Sequence, residues 1–575
     1  MKTKKRLALL LMVVLAVSLF AGCGSKEPEK KETQNVEGDT SKEDADKNDG
    51  DNNDDNNKVE GDTTEENKET EGNSGKEGDT DTDTSGIQFP LAEKKELSVW
   101  LIWSNSYVEE PNDLISVQKV EENTNVHVNW SVVSSNESSE KFGLMLASGD
   151  YPELVYGAGL YPNGMVKGVE DGVFLDLTEF IPMYMPNYEA LRRSDETVYK
   201  DTVTDEERSV AIYGLACNDE GIKAEQVFAG FLVRQDWLDA LKLSLPETMD
   251  DWHDMLVAFK ENYQCEAPYL MFRDGMDFVT AYGVQAEFYQ ENATVKYGPL
   301  EEGYRQYLET MSQWYKEGLI DPNFMSSSQF WPSCADAATG RGGAGTGTWG
   351  EAADSMLKRG LTQEESFWMT GVASPVLHKG DKPQIDTDAD SRIAKNPVAV
   401  TKNCKDVELA LSWLDYWYTE ECMVYATYGI EGETYTKDEN GTVVMTDLIM
   451  NNPDGYTPMD ALGRYTLGVA DLGLYNWNAM DIMNDKDALA AKGVWDAMGK
   501  GLILPSTVTM TPDESYEYAT KYTAVQTMVQ EMSIKYITGQ ESFDGYEVFQ
   551  NDLKKYGIED CLAIWQAALD RYNNR

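Results

Sequence analysis

Three strand-like segments separated by two helix-like segments begin the folded part of the chain. The stretch ELSVWLIWSN (96–105) alternates apolar and polar residues and then turns polar, which is typical of a strand that leads into a loop. VQKVEENTNVHVNWSVV (117–133) predicts a helix and a second strand, and KFGLMLASGDYPELVY (141–156) predicts another helix, a turn and a third strand. This order indicates an α/β fold with mostly parallel sheets and helices on both faces. Ligands of such sheets lie beyond the carboxyl ends of the strands, so the loops WSNS, SGDYP and YGAGLYPNG are the first candidates for a site.

Helix signals dominate the middle and the end of the chain. In LPETMDDWHDMLVAFK, Thr248 and Asp251 are spaced as a capping box, and apolar residues then recur at helical spacing. Asp236 is predicted to cap the preceding helix. The last 65 or so residues, from Pro512, are predicted to be almost wholly helical, which gives a helical C-terminal region.

The first 22 residues have the layout of an export signal, with four cations ahead of an apolar run of about sixteen residues. That run is shorter than the roughly twenty residues that a membrane-spanning helix needs. Cys23 follows Ala21 and Gly22, and this arrangement resembles the lipobox of bacterial lipoproteins, in which the thiol is diacylated and becomes the new N-terminus. The alternative is an ordinary signal peptide that happens to contain a Cys.

Polar and acidic residues fill the segment that follows, as in NDGDNNDDNNKVEGDTTEEN. Such a segment cannot bury enough apolar surface to offset its ordering entropy. We therefore expect residues 23–87 to be a disordered acidic tether anchored at Cys23, and residues 88–575 to form the folded body.

The charge and the cysteines exclude several classes of partner and site. The chain has 101 acidic and 49 basic residues, which argues against nucleic acid and anionic lipid as partners. Six scattered cysteines follow Cys23 and contain no CxxC motif, so free buried thiols are expected rather than a metal or redox site. They are Cys217, Cys265, Cys334, Cys404, Cys422 and Cys561.

No motif predicts a cofactor or a metal. The run from Gly340 to Gly345 matches GxGxxG formally, but no strand is predicted ahead of it, and the glycines indicate a close approach of the backbone to a partner. The segment DTDADSR (386–392) begins like a calcium loop, but Ser391 and Pro397 replace the Gly and Glu that such a loop requires. No HExxH or GxSxG motif occurs.

Aromatic residues are the positive signal for a ligand. The chain has 14 Trp and 31 Tyr, and several lie in predicted loops or at strand ends, among them Trp103, Trp331, Trp349 and Trp477. A flat ring beside polar side chains offers the apolar face and the hydrogen-bonding groups that a sugar requires. The alternative for each ring is packing in the core.

Several segments resemble the signature regions of family 1 extracellular solute-binding proteins. They include LASGDYPELVY, MPNYEALRRSDETVY, FLVRQDWLDALKLSLPETMDDWHDMLVAFK, WYKEGLIDPNF, YGIEGETY, IKYITGQESFDGYEVF and LKKYGIEDCLAIWQAALDRYNNR. They are most similar to the large lipoprotein subgroup that serves carbohydrate ABC transporters in Gram-positive bacteria. The resemblance implies a two-lobed periplasmic-binding-protein fold of type II. On this basis lobe 1 spans approximately 88–230 and 376–460, and lobe 2 spans 231–375 and 461–575.

The same resemblance places candidate ligand contacts in or near loops that face the cleft. Together with the loop tryptophans, the candidate ligand-binding residues are Trp103, Asn105, Asp150, Arg234, Asp236, Trp331, Trp349, Glu431 and Trp477. Arg234 and Asp236 have a rival role, as an ion pair that sets the geometry of one lobe. Calcium-binding members exist in the subgroup, but the segment at 386–392 does not support a metal here.

The leading functional hypothesis is a receptor anchored by lipid to the extracellular face of the cell membrane. It would capture an oligosaccharide or another small neutral solute by hinge closure and deliver it, as a monomer, to ABC permease subunits without breaking a bond. The alternatives are a cell-surface glycoside hydrolase, a non-transport adhesin or sensor, and a peptide receptor.

Overall fold

In the computed structural model, the segments predicted to alternate between strand and helix form the first sheet and helices that pack against it. The structure describes residues 87–103, 105, 108–218, 221–222, 227–271, 277–326, 336–348, 366–385, 393–394, 396–467 and 472–575. All of them belong to one compact unit.

The described strands are named in chain order. They are β1 (Lys95–Ile102), β2 (Val126–Val133), β3 (Leu154–Tyr156), β4 (Leu215–Cys217), β5 (Ala229–Arg234), β6 (Tyr269–Leu270), β7 (Phe288–Glu291), β8 (Thr294–Tyr297), β9 (Ala344–Thr348), β10 (Met369–Val372), β11 (Val398–Val400), β12 (Tyr435–Lys437), β13 (Val443–Met445) and β14 (Leu474–Asn476).

The described α-helices are named in the same way. They are α1 (Ile115–Thr124), α2 (Ser138–Ser148), α3 (Met165–Glu170), α4 (Phe180–Tyr184), α5 (Pro186–Arg193), α6 (Glu196–Asp201), α7 (Gln235–Leu241), α8 (Met249–Tyr263), α9 (Glu302–Glu317), α10 (Val407–Tyr416), α11 (Glu420–Tyr428), α12 (Asp447–Met450), α13 (Pro458–Leu462), α14 (Asn478–Met483), α15 (Lys486–Asp496), α16 (Pro512–Ile537), α17 (Tyr546–Lys555) and α18 (Ile558–Asn573). Short 3₁₀ helices occupy Pro111–Asp113, Ala158–Leu160, Val279–Tyr282, Gly298–Leu300, Phe324–Ser326 and Phe543–Gly545.

The first sheet has the strand order β11-β3-β1-β2. β1 is parallel to β2 and to β3, whereas β11 is antiparallel to β3. Alternate residues of β1 face two different cores: Leu97 and Leu101 pack into the larger one and Trp100 into a smaller one on the opposite face. Helices therefore cover both faces of this sheet, as the sequence predicted.

The second sheet has the order β10-β5-β9-β6. β5 is antiparallel to β9 and β10, and β6 is parallel to β9, so this sheet is mixed. Every residue of β5 is buried, because Phe231 faces the core formed with α8 and α9 while Leu232 faces the core formed with α15. Trp495 of α15 packs over Gly230, and its indole nitrogen donates to the carbonyl of Val372 at 3.0 Å.

The buried side chains define two lobes. One hydrophobic core contains buried side chains from the ranges Leu97 to Ile222 and Ile393 to Ala426, and we call the residues around it the first lobe. We call second lobe those around the core that gathers side chains between Phe231 and Val372 and from the C-terminal helices α16, α17 and α18. The predicted α/β class, the two lobes and the helical C-terminal region are confirmed. The residue boundaries predicted for the lobes stay a prediction.

Candidate functional site

The carboxyl ends of β1, β2 and β3 lie at one edge of the first sheet, because these three strands are parallel. The loop after β3 contains Gly157 and Ala158, whose backbone N–H groups both donate to the carbonyl of Pro397 at 3.0 Å. This pair of hydrogen bonds joins the end of β3 to the segment that enters β11. It creates a rigid rim at the edge where ligands of such sheets lie.

A cavity of about 400 Å³ lies against this rim. Its wall comes from the first lobe and from the segment between α15 and the C-terminal helices of the second lobe. The lining residues are Gly159, Asn163, Gly164, Met165, Val166, Asp201, Thr202, Val203, Thr204, Val210, Tyr213, Ile393, Ala394, Pro397, Ser506, Thr507, Thr509, Met510 and Arg575. A volume of this size falls within the range of small-molecule sites, and hydroxyl groups recur around the wall.

Asp201 contributes a carboxylate to this wall. One of its oxygens, Oδ1, accepts hydrogen bonds from the hydroxyls of Tyr572, at 2.7 Å, and Thr507. The other oxygen, Oδ2, has no hydrogen-bond partner among the described residues, so it is available to a ligand hydroxyl. Burial raises the pKa of Tyr213 well above its usual range, so its phenol stays neutral and able to donate.

Arg575 brings a positive charge to the wall, but protein groups already engage each of its guanidinium nitrogens. Nε donates to Asp205 at 2.7 Å, Nη1 to the carbonyl of Lys200 at 3.1 Å and Nη2 to the hydroxyl of Thr509 at 2.7 Å. Arg575 is therefore held in place by the protein. Hydroxyl oxygens from both lobes line the cavity, and they can accept hydrogen bonds from a small molecule.

Two predicted ligand-binding residues lie at the carboxyl end of β1. Trp103 is half-buried against the core of the first lobe, and its backbone N–H donates to Val133 at 2.9 Å. The side-chain amide of Asn105 donates to the carbonyl of Gly463 at 2.7 Å, and its oxygen accepts from the N–H of Val108 at 3.2 Å. They share the ligand-facing edge of the sheet, although neither lines the cavity.

Arg234 and Asp236 form an ion pair inside the second lobe. The guanidinium makes two hydrogen bonds to Asp236, at 2.7 and 2.6 Å, and the Arg234 side chain is only 1% exposed. Arg234 is the last residue of β5 and pairs with Met369 of β10. The chain enters β5 from the first lobe at the other end of the strand, at Ala229. Asp236 lies in the first turn of α7, and the N-cap is Arg234, so the predicted cap by Asp236 is wrong. The geometry is that of the rival structural role.

The remaining predicted residues are dispersed. Asp150 and Glu431 are exposed, and Trp477 is buried, with 4% exposure, in the core around α15. Cys23, Trp331 and Trp349 lie outside the described residues, as does the segment 386–392.

The glycine run ahead of β9 packs against the protein itself. A Cβ on Gly343 would lie 2.5 Å from the ring of Phe259 and 2.6 Å from that of Trp237, and one on Gly342 would lie 2.4 Å from the carbonyl of Ala267. The close approach of the backbone was predicted, but the neighbour is the core of the second lobe rather than a partner.

Sequence reasoning named the loop YGAGLYPNG, which contributes Gly159, Asn163 and Gly164 to the cavity, but it missed the other lining residues. Asp201 lies two residues after the end of the family-like segment MPNYEALRRSDETVY, and Arg575 ends the family-like segment LKKYGIEDCLAIWQAALDRYNNR. These two segments carry the signal that could have indicated them, but nothing in the sequence says that they meet.

Within the ranges that the structure describes, no group of three or more His, Cys, Asp or Glu could hold a metal ion. No helix there is both long enough and apolar enough to cross a membrane. Cys265, Cys404, Cys422 and Cys561 are free thiols, of which Cys404 is half-buried and the other three are buried. Cys217 is also buried, and Cys334 lies outside these ranges.

Comparison with known proteins gives consistent results. Residues 109–423, more than half of the chain, match the family described as bacterial extracellular solute-binding protein. The fructooligosaccharide ABC transporter substrate-binding protein FusA of Streptococcus pneumoniae serotype 4 (strain ATCC BAA-334 / TIGR4) is 24% identical over 528 residues, which cover 86% of this chain and 93% of FusA. Lipoprotein LipO of Bacillus subtilis (strain 168) is 23% identical over 377 residues, which cover 63% of this chain and 71% of LipO.

The fold has counterparts among solved structures. The alginate-binding protein AlgQ2, solved without calcium ion, superposes with a TM-score of 0.68 at 21% identity, covering 84% of this chain and 100% of AlgQ2.

Proposed function

The chain belongs to the bacterial extracellular solute-binding proteins, and on that premise we propose that it captures an oligosaccharide in the interlobe cavity and delivers it to an ABC permease. The observation that carries the proposal is a cavity whose hydroxyl-rich wall is built from both lobes. A sugar chain offers many hydroxyls that can donate and accept, which matches this wall. The names of FusA and AlgQ2, which refer to oligo- and polysaccharides, support the same class of ligand.

Capture proceeds by closure of one lobe on the other. A ligand that contacts Asp201 and Tyr213 of the first lobe and Thr507 of the second gains contacts only when the lobes are together. Its differential affinity therefore shifts the population toward the closed state, which a permease can distinguish from the open one. The protein binds and releases the sugar without breaking a bond.

Calorimetric titration of purified residues 87–575 with short fructooligosaccharides and other neutral oligosaccharides tests this function. We expect saturable binding and a ligand-induced rise in the melting temperature. Asp201→Asn is expected to weaken binding by about tenfold, because hydrogen bonds to charged groups contribute about 1.5–3 kcal/mol. The matched control is Asp552→Asn, which neutralises an exposed carboxylate of α17 that does not line the cavity. A flat response to every oligosaccharide would contradict the proposal.

Incubation with the same oligosaccharides separates binding from hydrolysis. We expect chromatography to return each oligosaccharide intact, whereas shortened products would favour a glycoside hydrolase, which needs two carboxyl groups about 5–9.5 Å apart. Binding of peptides in place of sugars would favour the peptide receptor.

We also propose that Cys23 is diacylated and holds the chain at the extracellular face of the cell membrane. The short apolar run before Cys23 and the lipoprotein LipO among the relatives support this anchor. Cys23→Ala in the full chain is expected to move the protein from the membrane fraction to the culture medium. Retention of this variant in the membrane would contradict the anchor.

Delivery to the permease can be tested in the same cells. Uptake of a labelled oligosaccharide should fall when the chain is deleted and return with the wild-type chain. Unchanged uptake would favour an adhesin or a sensor. Light scattering of the purified protein is expected to give the mass of a monomer.

A further inference from the structure

A cluster of ion pairs joins the two lobes beside the cavity. We call it the interlobe clasp and define it as Asp205, Glu514, Arg571 and Arg575. The two oxygens of Asp205 accept from Nε of Arg571, at 2.8 Å, and from Nε of Arg575, at 2.7 Å. Arg571 in turn donates from both terminal nitrogens to Glu514, at 2.9 and 2.5 Å.

The members of the clasp belong to different lobes. Asp205 follows α6, whose Val198 is buried in the core of the first lobe. Arg571 is at the end of α18, whose Cys561 is buried in the core of the second lobe. Separation of the lobes must therefore break the hydrogen bonds of Asp205.

Three further contacts cross the same junction. The hydroxyls of Thr507 and Tyr572 donate to Asp201, and the ammonium of Lys200 lies 4.6 Å from the centre of the Tyr572 ring. All three are polar or charged contacts, and they add directional bonds to the junction beside the clasp.

Charge balance makes Asp205 the central member. Its side chain is 17% exposed and accepts hydrogen bonds from the guanidinium groups of both Arg571 and Arg575. The Arg575 side chain is only 1% exposed. Glu514 compensates Arg571. Burial acts to raise the pKa of Glu514, but the hydrogen bonds from Arg571 and Thr511 together with the charge of Arg571 lower it from its usual value. Arg575 has Asp205 as its only carboxylate partner among the described side chains, so loss of that charge leaves a buried cation without a counter-ion.

The clasp also shapes the cavity. Arg575 and Thr509 both line it, and the hydrogen bond between them at 2.7 Å is part of the same network. Arg575 donates hydrogen bonds to Asp205, to the carbonyl of Lys200 and to Thr509. Two of these three acceptors, those of Asp205 and Lys200, belong to the first lobe.

We propose that Asp205 is a positioning residue that couples lobe closure to ligand affinity: by holding Arg571 and Arg575 across the junction, it stabilises the conformation in which both walls of the cavity are present. The inference rests on the proposed function for its ligand but not for its conformational part. Asp205 contacts no ligand itself. It acts through Arg575 and through the population of closed molecules, which sets the apparent affinity.

Small-angle X-ray scattering of ligand-free residues 87–575 tests the conformational part without any ligand. Asp205→Asn is expected to give a larger radius of gyration than the wild type, whereas Asp205→Glu, which retains the charge, is expected to give a radius close to that of the wild type. The matched control is Asp560→Asn, which removes an ion pair with Lys521 that lies wholly within the second lobe. Circular dichroism checks that each variant is folded. A radius unchanged by Asp205→Asn would overturn the proposal.

Binding kinetics with short fructooligosaccharides test the coupling. Asp205→Asn is expected to weaken the affinity roughly tenfold, mainly through faster dissociation, because closed molecules are rarer and open sooner. Asp560→Asn should leave both rates unchanged, and an unchanged dissociation rate in Asp205→Asn would refute the coupling. If the wild type binds no oligosaccharide while Asp205→Asn still expands, the proposed ligand class is wrong and the clasp stands.

Discussion

At the scale of single residues, Arg234 shows how the environment decides what a charged side chain does. Its guanidinium carbon lies 4.6 Å from the ring centres of both Trp237 and Phe367, and it donates to Asp236 and to the carbonyl of Ala337. All of these contacts join the Arg234 side chain to other residues of the protein. Its hydrogen bonds join the end of β5 to α7 and to the helical turn at Ala337.

We therefore expect Arg234→Met to destabilise the protein by about 3–5 kcal/mol, because it leaves Asp236 partly buried without its counter-ion. Chemical denaturation measures this loss. Arg193→Met is the matched control: Arg193 is 54% exposed and Glu189 keeps its ion pair with Arg192, so this variant should cost less than about 1 kcal/mol. Normal stability with abolished oligosaccharide binding would instead identify Arg234 as a ligand contact.

At the scale of elements, helix α8 agrees with its sequence. Thr248 accepts from the N–H of Asp251 at 3.1 Å, and Asp251 accepts from the N–H of Thr248 at 3.0 Å, so the predicted capping box is confirmed. The apolar residues at helical spacing, Trp252, Met255, Leu256 and Phe259, are all buried. Such an element can be predicted from sequence because the residues that form its cap and its apolar face lie within a few helical turns of one another.

The capping box makes part of the stability depend on pH. Hydrogen bonding to the backbone of Thr248 lowers the pKa of Asp251 from its usual value. A carboxyl group whose pKa is lower in the folded state stabilises that state above its unfolded pKa of about 3.9, and the effect is lost as the pH falls through the lowered value. The difference in urea midpoint between the wild type and Asp251→Asn should thus be present at neutral pH and shrink at acidic pH. Glu261→Gln, at an exposed position of α8, should show no comparable trend.

At the scale of the whole molecule, the proposed binding depends on the two lobes and on the clasp between them. The described lining of the cavity begins at Gly159, so we expect the proposed tether between Cys23 and Ile87 to be dispensable for binding. Its polar composition predicts a spacer that lets the folded body stand away from the membrane.

Deletion of residues 24–86 should accordingly leave the affinity for oligosaccharide unchanged in calorimetric titration. Uptake by cells should fall if the tether is needed to reach the permease. A chain of equal length in which Lys, Asp and Glu are replaced by Ser separates length from charge. A loss of affinity in the deleted protein would mean that the tether contributes to the site.

What the sequence determined by itself is local or compositional: the strands and helices of the first sheet, the cap of α8 and the α/β class. Each depends on periodicity or on contacts between residues close in the chain. The tertiary structure alone decided the site. Asp201 and Tyr572, which share a hydrogen bond, are 371 positions apart, and their meeting depends on how two lobes pack. The same packing turned Arg234 and Trp477, both candidate ligand contacts from sequence, into buried parts of the fold. Short-range patterns specify which elements form, whereas burial and long-range packing decide which side chains remain available to a ligand.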